Sequence, residues 1–132
     1  ENQLGDAVVF PNQAFRVDQV PKLLAGAALG LVPTLADDCT RYMLPVKLLE
    51  YVFLGIPAVV GRLPTIEHYF RGDQVSYFTP GDARDLADKI LALLRDVHVR
   101  EQQAERARRF FETFHWQKSA EDLCRIVEGA DI

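Results

Sequence analysis

The sequence predicts an α/β fold with a parallel sheet, because short apolar runs alternate with segments whose apolar residues recur at helical spacing. Four apolar runs are predicted as strands, at residues 7–10, 29–33, 58–60 and 75–78. Strands that alternate with helices in this way are typically parallel and covered on both faces. At 132 residues, of which 48% are hydrophobic, the chain is long enough for one domain with a real core.

The elements up to the second strand are marked by turn and capping residues. The apolar run 7–10 is followed by Pro11, which favours a turn after a buried strand. Asp18 has the side chain of an N-cap, and Pro21 falls near the first turn of the helix that Asp18 is predicted to begin. The second strand, 29–33, is ended by its own proline.

A polar loop over residues 34–44 separates the second strand from the next helix. That helix is predicted over 45–54, because Pro45 suits a first turn and Gly55 suits the position just past the end. The third strand follows at once. Thr65 is then predicted to cap a short helix before the fourth strand.

Helices are predicted for the C-terminal part of the chain. Asp82 caps the first of them, and a charged helix follows over residues 99–115. Ser119 and Asp122 are similar to a capping box for the last helix. The apolar residues of that helix are predicted to face the core, and they are Leu123, Ile126 and Val127. The whole pattern matches a partial doubly wound, Rossmann-like sheet of about four strands with C-terminal helices.

Composition argues against several classes of function. The net charge of -4 argues against broad nucleic-acid binding, which needs a basic face. Cys39 and Cys124 lie far apart without CxxC spacing, so neither a zinc site nor a disulfide framework is predicted. The longest apolar run, 52–60, is interrupted by Gly55 and Pro57 and is too short to span a bilayer. A reducing, cytoplasmic location is therefore expected, with membrane association only through absent parts.

The start of the helix at 45–54 carries the residues with the clearest chemistry. The first N–H groups of a helix lack partners and the helix dipole adds partial positive charge, so this end attracts anions. Lys47 and Glu50 are three residues apart and share one face of the helix. The lysine suits a phosphate and the carboxylate suits a pair of hydroxyls such as a ribose diol. Because ligands of such sheets bind at the carboxyl ends of the strands, where this helix begins, a nucleotide ligand is indicated.

The same helix carries a longer motif, Pro45-x-Lys47-x-x-Glu50-Tyr51-x-x-x-Gly55-x-Pro57-x-Val59-Val60. This motif resembles the donor-site signature of GT-B glycosyltransferases, in the group often called family 4. The resemblance extends in the family's order over almost the whole chain, through Val20-Pro21-Lys22-Leu23-Leu24, Leu31-Val32-Pro33, Tyr77-Phe78-Thr79-Pro80-Gly81-Asp82, and Ala107-Arg108-Arg109-Phe110 with Trp116.

The resemblance implies a glycosyltransferase, hexosyltransferase-like, in which this chain binds the nucleotide-diphosphate sugar. Residues 1–132 are then the C-terminal part of a nucleotide-sugar-binding, Rossmann-like domain, which is half of a GT-B architecture. The acceptor is expected in an N-terminal domain or a partner chain, so the isolated chain should turn over nothing. No cofactor or metal ion is expected, because Lys47 and the helix start supply the positive charge.

Six residues are predicted to form the donor site. The resemblance implies that Lys47 contacts the diphosphate and Glu50 the ribose hydroxyls, and both are predicted to act in the transfer. It also implies that the backbone just before Lys47 meets phosphate or sugar. Thr34, at the end of the second strand, is a further candidate for a ligand hydrogen bond. The predicted donor-binding residues are Thr34, Leu44, Pro45, Val46, Lys47 and Glu50.

Other interpretations of these residues stay open. Many members of the family carry an additional glutamate eight positions before the ribose-binding one, and here that position is Tyr42. Asp37 or Asp38 replaces it only if the loop folds back. Lys47 and Glu50 can also pair with each other across one turn, which is worth about 0.2–0.5 kcal/mol. The alternative function is a non-catalytic Rossmann-like interaction or regulatory module.

Overall fold

The computed structural model describes residues 7–129 and contains three strands in one parallel sheet. The strands are β1 (Gly30–Val32), β2 (Ala58–Gly61) and β3 (Ser76–Phe78), and they lie side by side in the order β1-β2-β3. Val32 of β1 is level with Val60 of β2, which is level with Tyr77 of β3. The predicted parallel α/β sheet is confirmed, with the second, third and fourth predicted strands in place.

Seven α-helices accompany this sheet within residues 7–129. They are α1 (Val20–Leu24), α2 (Val46–Leu54), α3 (Pro64–Tyr69), α4 (Ala83–Arg95), α5 (Val97–Arg108), α6 (Phe110–Thr113) and α7 (Trp116–Gly129), with 3₁₀ turns at Val17–Gln19 and Thr40–Tyr42. Helix α2 packs on β1 and β2, α4 packs on β2 and β3, and α5 packs on both helices. In this described part of the chain, no helix has the length and apolar character needed to cross a bilayer.

The first predicted strand, 7–10, is not a strand in the structure, so the sheet has three described strands where about four were predicted. Val9 is 85% exposed and Phe10 is 84% exposed, so neither side chain lies in a core. A strand needs a hydrogen-bonded neighbour. Residues 7–10 pair with none of the three described strands, so the apolar character of this run alone does not make it a strand.

Both faces of the sheet bury side chains, as parallel strands require. On one face, Val32 and Val60 belong to the larger core cluster, which also contains Leu48, Val52, Leu63, Ile66, Phe70, Val75, Tyr77, Ala107 and Phe110. On the other face, Val59 and Phe78 pack with Leu93 of α4. The larger cluster includes the inward side of α2 and therefore anchors the helix that carries the predicted site.

Helix α2 ends where the prediction places its end and begins one residue later than predicted. Its first residue is Val46, and Pro45 is the N-cap residue with extended backbone (φ -65°, ψ 128°). Gly55 follows the last residue in the left-handed conformation (φ 72°), which costs a residue with a side chain about 1–2 kcal/mol. The N–H of Gly55 donates to the carbonyl oxygens of Tyr51 and Val52. Pro45 and Gly55 thus set the length of this helix.

Two predicted N-caps are wrong. Asp18 lies inside a 3₁₀ turn, where its carboxylate pairs with Arg16 (Oδ1 to Nε, 2.9 Å). Thr65 lies inside α3, whose N-cap residue is Leu63. The Thr65 hydroxyl donates to the carbonyl oxygen of Arg41 at 2.7 Å and so ties the preceding loop to α3. Short polar side chains bond to several kinds of backbone group, so their presence near a helix start does not determine the cap.

The helices after β3 also differ from their predicted bounds. The helix predicted over 99–115 is two helices, α5 and α6, and Asp96 caps the first by accepting from the N–H of Val99 at 3.1 Å. Ser119 lies inside α7, and its N–H donates to the carbonyl oxygen of His115. The predicted capping box is therefore wrong, because α7 has already begun three residues earlier.

The apolar stripe of α7 does not face a core. Leu123 is 57% exposed, Ile126 is 69% exposed and Val127 is 66% exposed, which contradicts the prediction. Helical spacing identifies the residues that share a face, but it does not identify what covers them. Within residues 7–129 no element covers this face.

The predicted N-cap Asp82 is confirmed, and a second aspartate strengthens the same helix start. The Asp82 carboxylate accepts from the N–H groups of Arg84 at 2.9 Å and Asp85 at 3.0 Å. The Asp85 carboxylate accepts from the N–H of Thr79 at 2.7 Å. This bond from Thr79 holds the pKa of Asp85 below its usual value.

We expect acid to remove the stability that Asp85 contributes. A carboxylate whose pKa is lower in the folded state stabilises the fold above its unfolded pKa of about 3.9, and loses that effect as the pH falls through the folded pKa. The Asp85→Asn variant should therefore be less stable than the parent at about pH 7, and the difference should shrink below about pH 4. Urea denaturation over a pH series measures this. A difference that is unchanged at about pH 2 contradicts the assignment.

Candidate functional site

The amino end of α2 is open to a ligand. Pro45 has no N–H, and no side chain caps this end of the helix. The N–H of Leu48 donates to the carbonyl oxygen of Pro45 at 3.0 Å, so the N–H groups of Val46 and Lys47 are those that remain for an anion. Val46 is 68% exposed, whereas Leu44 is half-buried against the larger core cluster. Pro45 therefore shapes this site without donating to a ligand.

Lys47 and Glu50 follow in the first turn and a half of α2. Lys47 is exposed and Glu50 is half-buried. Neither residue takes part in an ion pair within residues 7–129, so the simple pair between them does not form. The ammonium and the carboxylate are thus available to separate parts of one ligand.

A shallow apolar pocket of about 130 Å³ lies beside Glu50. It is lined by Val17, Val20, Pro21, Glu50, Phe53 and Leu54. Val17 is 83% exposed and Phe53 is 67% exposed, so both have apolar surface to offer. Aromatic side chains stack on flat heterocyclic rings, and a neighbouring carboxylate accepts from hydroxyls of an attached sugar.

Sequence reasoning missed the residues that form this pocket. Phe53 is three residues after Glu50, and that spacing alone places both on one face of α2. The sequence indicates Val17 only weakly as a pocket residue. It is an apolar residue directly before a polar one, at the start of a helical segment. Nothing in the sequence shows that the segment of Val17 lies against α2.

Thr34 lies at the carboxyl end of β1 but outside this pocket. It is half-buried, and its N–H donates to the carbonyl oxygen of Val32 at 2.9 Å. Its own carbonyl oxygen is 2.7 Å from the position that a Cβ on Gly61 would occupy. Of the six predicted donor-binding residues, the structure thus brings five together at the start of α2 and leaves Thr34 against the end of β2.

Asp37 holds the loop 34–44 in its conformation. Its carboxylate accepts from the N–H groups of Thr40 at 2.7 Å and Cys39 at 2.8 Å. These bonds, led by those of Thr40, lower the pKa of Asp37. The Asp37 carboxylate is thus engaged within the loop, whereas the Asp38 carboxylate is fully exposed and lies 3.8 Å from Nη1 of Arg41.

Tyr42 and Arg62 complete the carboxyl edge of the sheet. Tyr42 is 76% exposed, with the guanidinium of Arg41 5.4 Å from the centre of its ring. Arg62 pairs with Glu67 and lies 4.7 Å from the ring centre of Tyr77, so its charge is already used within the protein. Arg62 is therefore less available to a ligand than Lys47, which takes part in no ion pair within residues 7–129.

The sequence separately predicts that the site needs no metal ion. Between residues 7 and 129, no three His, Cys, Asp or Glu side chains are placed together as metal ligands, and Cys39 and Cys124 are free thiols. The expectation that the chemistry needs no metal ion stays a prediction.

Comparison with known proteins adds one finding. A family model described as glycosyl transferase-like matches residues 6–125 of this chain. The match includes the whole sheet, α2 and the loop before it. No match is found among curated proteins or among solved structures. The match agrees with the GT-B resemblance, and the three parallel strands agree with a partial Rossmann-like fold.

Proposed function

Because this chain belongs to the glycosyl transferase-like family and its function is of the glycosyltransferase type, we propose that it binds the nucleotide-diphosphate sugar that serves as donor. One observation carries the proposal. The uncapped start of α2 presents free N–H groups and Lys47, and Glu50 borders an apolar pocket one turn later. The helix start with Lys47 suits the diphosphate, Glu50 suits the ribose, and the apolar pocket suits the base.

Lys47 binds the diphosphate in this proposal. During transfer, the acceptor oxygen bonds to the anomeric carbon, and the diphosphate leaves with the electrons of the broken carbon–oxygen bond. A fixed positive charge stabilises the negative charge that grows on the leaving group. The N–H groups at the helix start act in the same direction. The proton of the acceptor hydroxyl passes to the leaving phosphate, so no side chain of this chain is assigned as general base.

Glu50 and the pocket beside it hold the nucleoside. The carboxylate accepts hydrogen bonds from the two ribose hydroxyls, and such charge-assisted bonds are stronger than neutral ones. Glu50 is half-buried, which limits competition from water. The base then lies between the exposed surfaces of Val17 and Phe53.

The acceptor is assigned to an N-terminal domain or to a partner chain. Three described strands correspond to half of a doubly wound sheet, and their carboxyl edge offers a donor site. On this proposal the isolated chain binds a nucleotide but transfers no sugar. Transfer of a hexose, independence of metal ions and a cytoplasmic location belong to the same proposal.

Tyr42 favours a second candidate function, a non-catalytic interaction or regulatory module with a Rossmann-like fold. Many members of the GT-B family have a glutamate at this position near the donor sugar. Here the position holds an exposed tyrosine, and the Asp37 carboxylate is used within the loop. In this alternative, Lys47 is a solvated surface lysine and no nucleotide binds.

Titration with UDP, GDP and ADP separates the two functions. We expect one of these nucleotides to bind saturably, as followed by calorimetry or chemical shifts. Lys47→Ala should weaken that binding about tenfold, or about 1.4 kcal/mol, because it removes the charge beside the diphosphate. Lys118→Ala removes the same charge from α7 and is the matched control, with affinity unchanged.

Two outcomes contradict the donor site. The first is a folded chain that binds none of the three nucleotides. The second is an equal loss of affinity in Lys47→Ala and Lys118→Ala, which would show that net charge, and not contact with Lys47, governs binding. Either outcome favours the non-catalytic module.

A further inference from the structure

The ring of Tyr51 on α2 lies directly against the backbone of β1 at Gly30. Gly30 is buried, and a Cβ added to it would lie 2.7 Å from Cε2 of Tyr51 and closer still to Cγ and Cδ2. Real Cβ atoms essentially never come within 3.0 Å of another heavy atom in this way. Gly30 is not among the glycines with positive φ, so its backbone conformation would accept an alanine. The Tyr51 ring, and not the backbone, therefore excludes a side chain at this position.

The Tyr51 ring has little freedom to move away from Gly30. Rotation of the ring about the Cβ–Cγ bond leaves Cγ in place, and the side chains of helical residues are largely confined to two χ1 rotamers. Tyr51 is also half-buried and packs against the larger core cluster. Close-packed side chains transmit a displacement to their neighbours rather than absorb it. The contact between Tyr51 and Gly30 therefore sets how closely α2 approaches β1.

The distance between α2 and β1 bears on the proposed donor site. Glu50 precedes Tyr51 and Phe53 follows it by two residues, and both Glu50 and Phe53 line the apolar pocket. Val17 and Val20 also line this pocket, and they belong to the segment that leads into β1. One part of the pocket is thus fixed to α2, and another part to the chain that continues as β1. A change in the distance between α2 and β1 should therefore alter the fit of the ribose and the base.

We propose that Gly30 and Tyr51 are positioning residues for the donor site, an inference that rests on the proposed function. They act through Glu50 and Phe53 and do not themselves contact the nucleotide. Gly30 is the first residue of β1 and so lies at the amino edge of the sheet, away from the helix start that is proposed to bind the diphosphate. A misplacement of about 1 Å can cost an enzyme about 100-fold in rate. The adjustment that one added methyl group forces on α2 is therefore enough to weaken binding measurably.

A double-mutant cycle in the titration with UDP, GDP and ADP tests this proposal. Gly30→Ala should weaken binding of the preferred nucleotide about tenfold, because the added Cβ pushes α2 away from β1. Tyr51→Ala removes the ring that spaces the two elements and should weaken binding about threefold or more. In the Tyr51→Ala background, Gly30→Ala should change the affinity by less than about twofold, because no ring meets the added Cβ. Tyr51→Phe is the conservative variant, which keeps the ring and should keep the affinity.

A control variant and a second measurement separate positioning from a loss of stability. Gly72→Ala adds a Cβ that meets nothing within 4 Å, so it should keep the affinity of the parent. In the nucleotide-free chain, Gly30→Ala should shift the backbone amide signals of Glu50 and Phe53. The same substitution in the Tyr51→Ala background should leave these signals in place. Urea denaturation shows whether each variant is folded under the conditions of the titration.

Four outcomes overturn the proposal. If folded Gly30→Ala binds like the parent while Lys47→Ala binds more weakly, the donor site stands and this inference alone fails. A tenfold effect of Gly30→Ala that persists in the Tyr51→Ala background shows that the loss does not pass through the ring. If Gly30→Ala does not fold, equal affinities of Tyr51→Ala and Tyr51→Phe overturn the proposal instead. A folded parent that binds none of the three nucleotides overturns the donor site and this inference with it.

Discussion

Replacing Phe70 by alanine is expected to lower the free energy of unfolding by about 3–5 kcal/mol. Phe70 is 1% exposed and belongs to the larger core cluster. Its ring stacks on that of Phe110, with the ring centres 4.9 Å apart. Removing the ring leaves a cavity that close-packed neighbours fill only in part. Urea denaturation of the parent and the variant measures the difference.

The matched control for this substitution is Phe10→Ala. Phe10 is 84% exposed, so its removal should change the unfolding free energy by no more than about 0.5 kcal/mol. The backbone carbonyl oxygen of Phe70 accepts from the buried hydroxyl of Tyr77 at 2.7 Å, and the alanine variant keeps this acceptor, so the expected effect comes from the ring alone. If Phe70→Ala lowers the free energy of unfolding by less than about 1 kcal/mol, Phe70 is not at the centre of the core.

Replacing Gly61 by alanine is expected to cost about 1–3 kcal/mol of stability and to weaken nucleotide binding about tenfold. The added Cβ would lie 2.7 Å from the carbonyl oxygen of Thr34, a backbone atom that cannot rotate away. Thr34 begins the loop that leads to the start of α2, so a shift of Thr34 displaces Lys47 from the diphosphate. Urea denaturation and the nucleotide titration measure the two effects.

Gly72→Ala is the control for the substitution at Gly61. A Cβ at Gly72 meets nothing within 4 Å, and Gly72 is not among the glycines with positive φ. Its replacement should therefore leave stability unchanged or raise it by up to about 1 kcal/mol, through a less flexible unfolded chain. If the two alanine variants prove equally stable, the close approach of β1 and β2 at Gly61 is not a constraint on this fold.

Much of the sheet could be predicted because its strands are buried by elements that lie nearby in the chain. The apolar runs that become β1 and β3 each precede the helix that packs on them, and β2 lies against both of these helices, so a local pattern carries enough information. The run 7–10 is as apolar, but it has no neighbouring strand among the described residues. The prediction that the apolar residues of α7 face a core is wrong for a similar reason. Their burial would need another element packed on that face of the helix, and a helical pattern alone does not show one.

The site was predictable to the extent that it is contiguous in sequence. Pro45, Lys47 and Glu50 occupy one short motif, and helix geometry relates them without any tertiary information. The pocket beside Glu50 required the knowledge that Val17 lies against α2, which no local pattern encodes. The close approach of Gly61 to Thr34 could not be predicted either. A glycine in the sequence does not indicate which neighbouring atom leaves no room for a Cβ at that position.

Helix α7 buries none of its residues within the described chain. It has 14 residues, and isolated helices shorter than about 12–15 residues are marginal in water. Its helical state therefore depends mainly on its own backbone hydrogen bonds, and we expect its amide hydrogens to exchange through local fraying rather than through global unfolding. We therefore expect this segment to unfold before the sheet and to leave the cluster around Phe70 intact when it does.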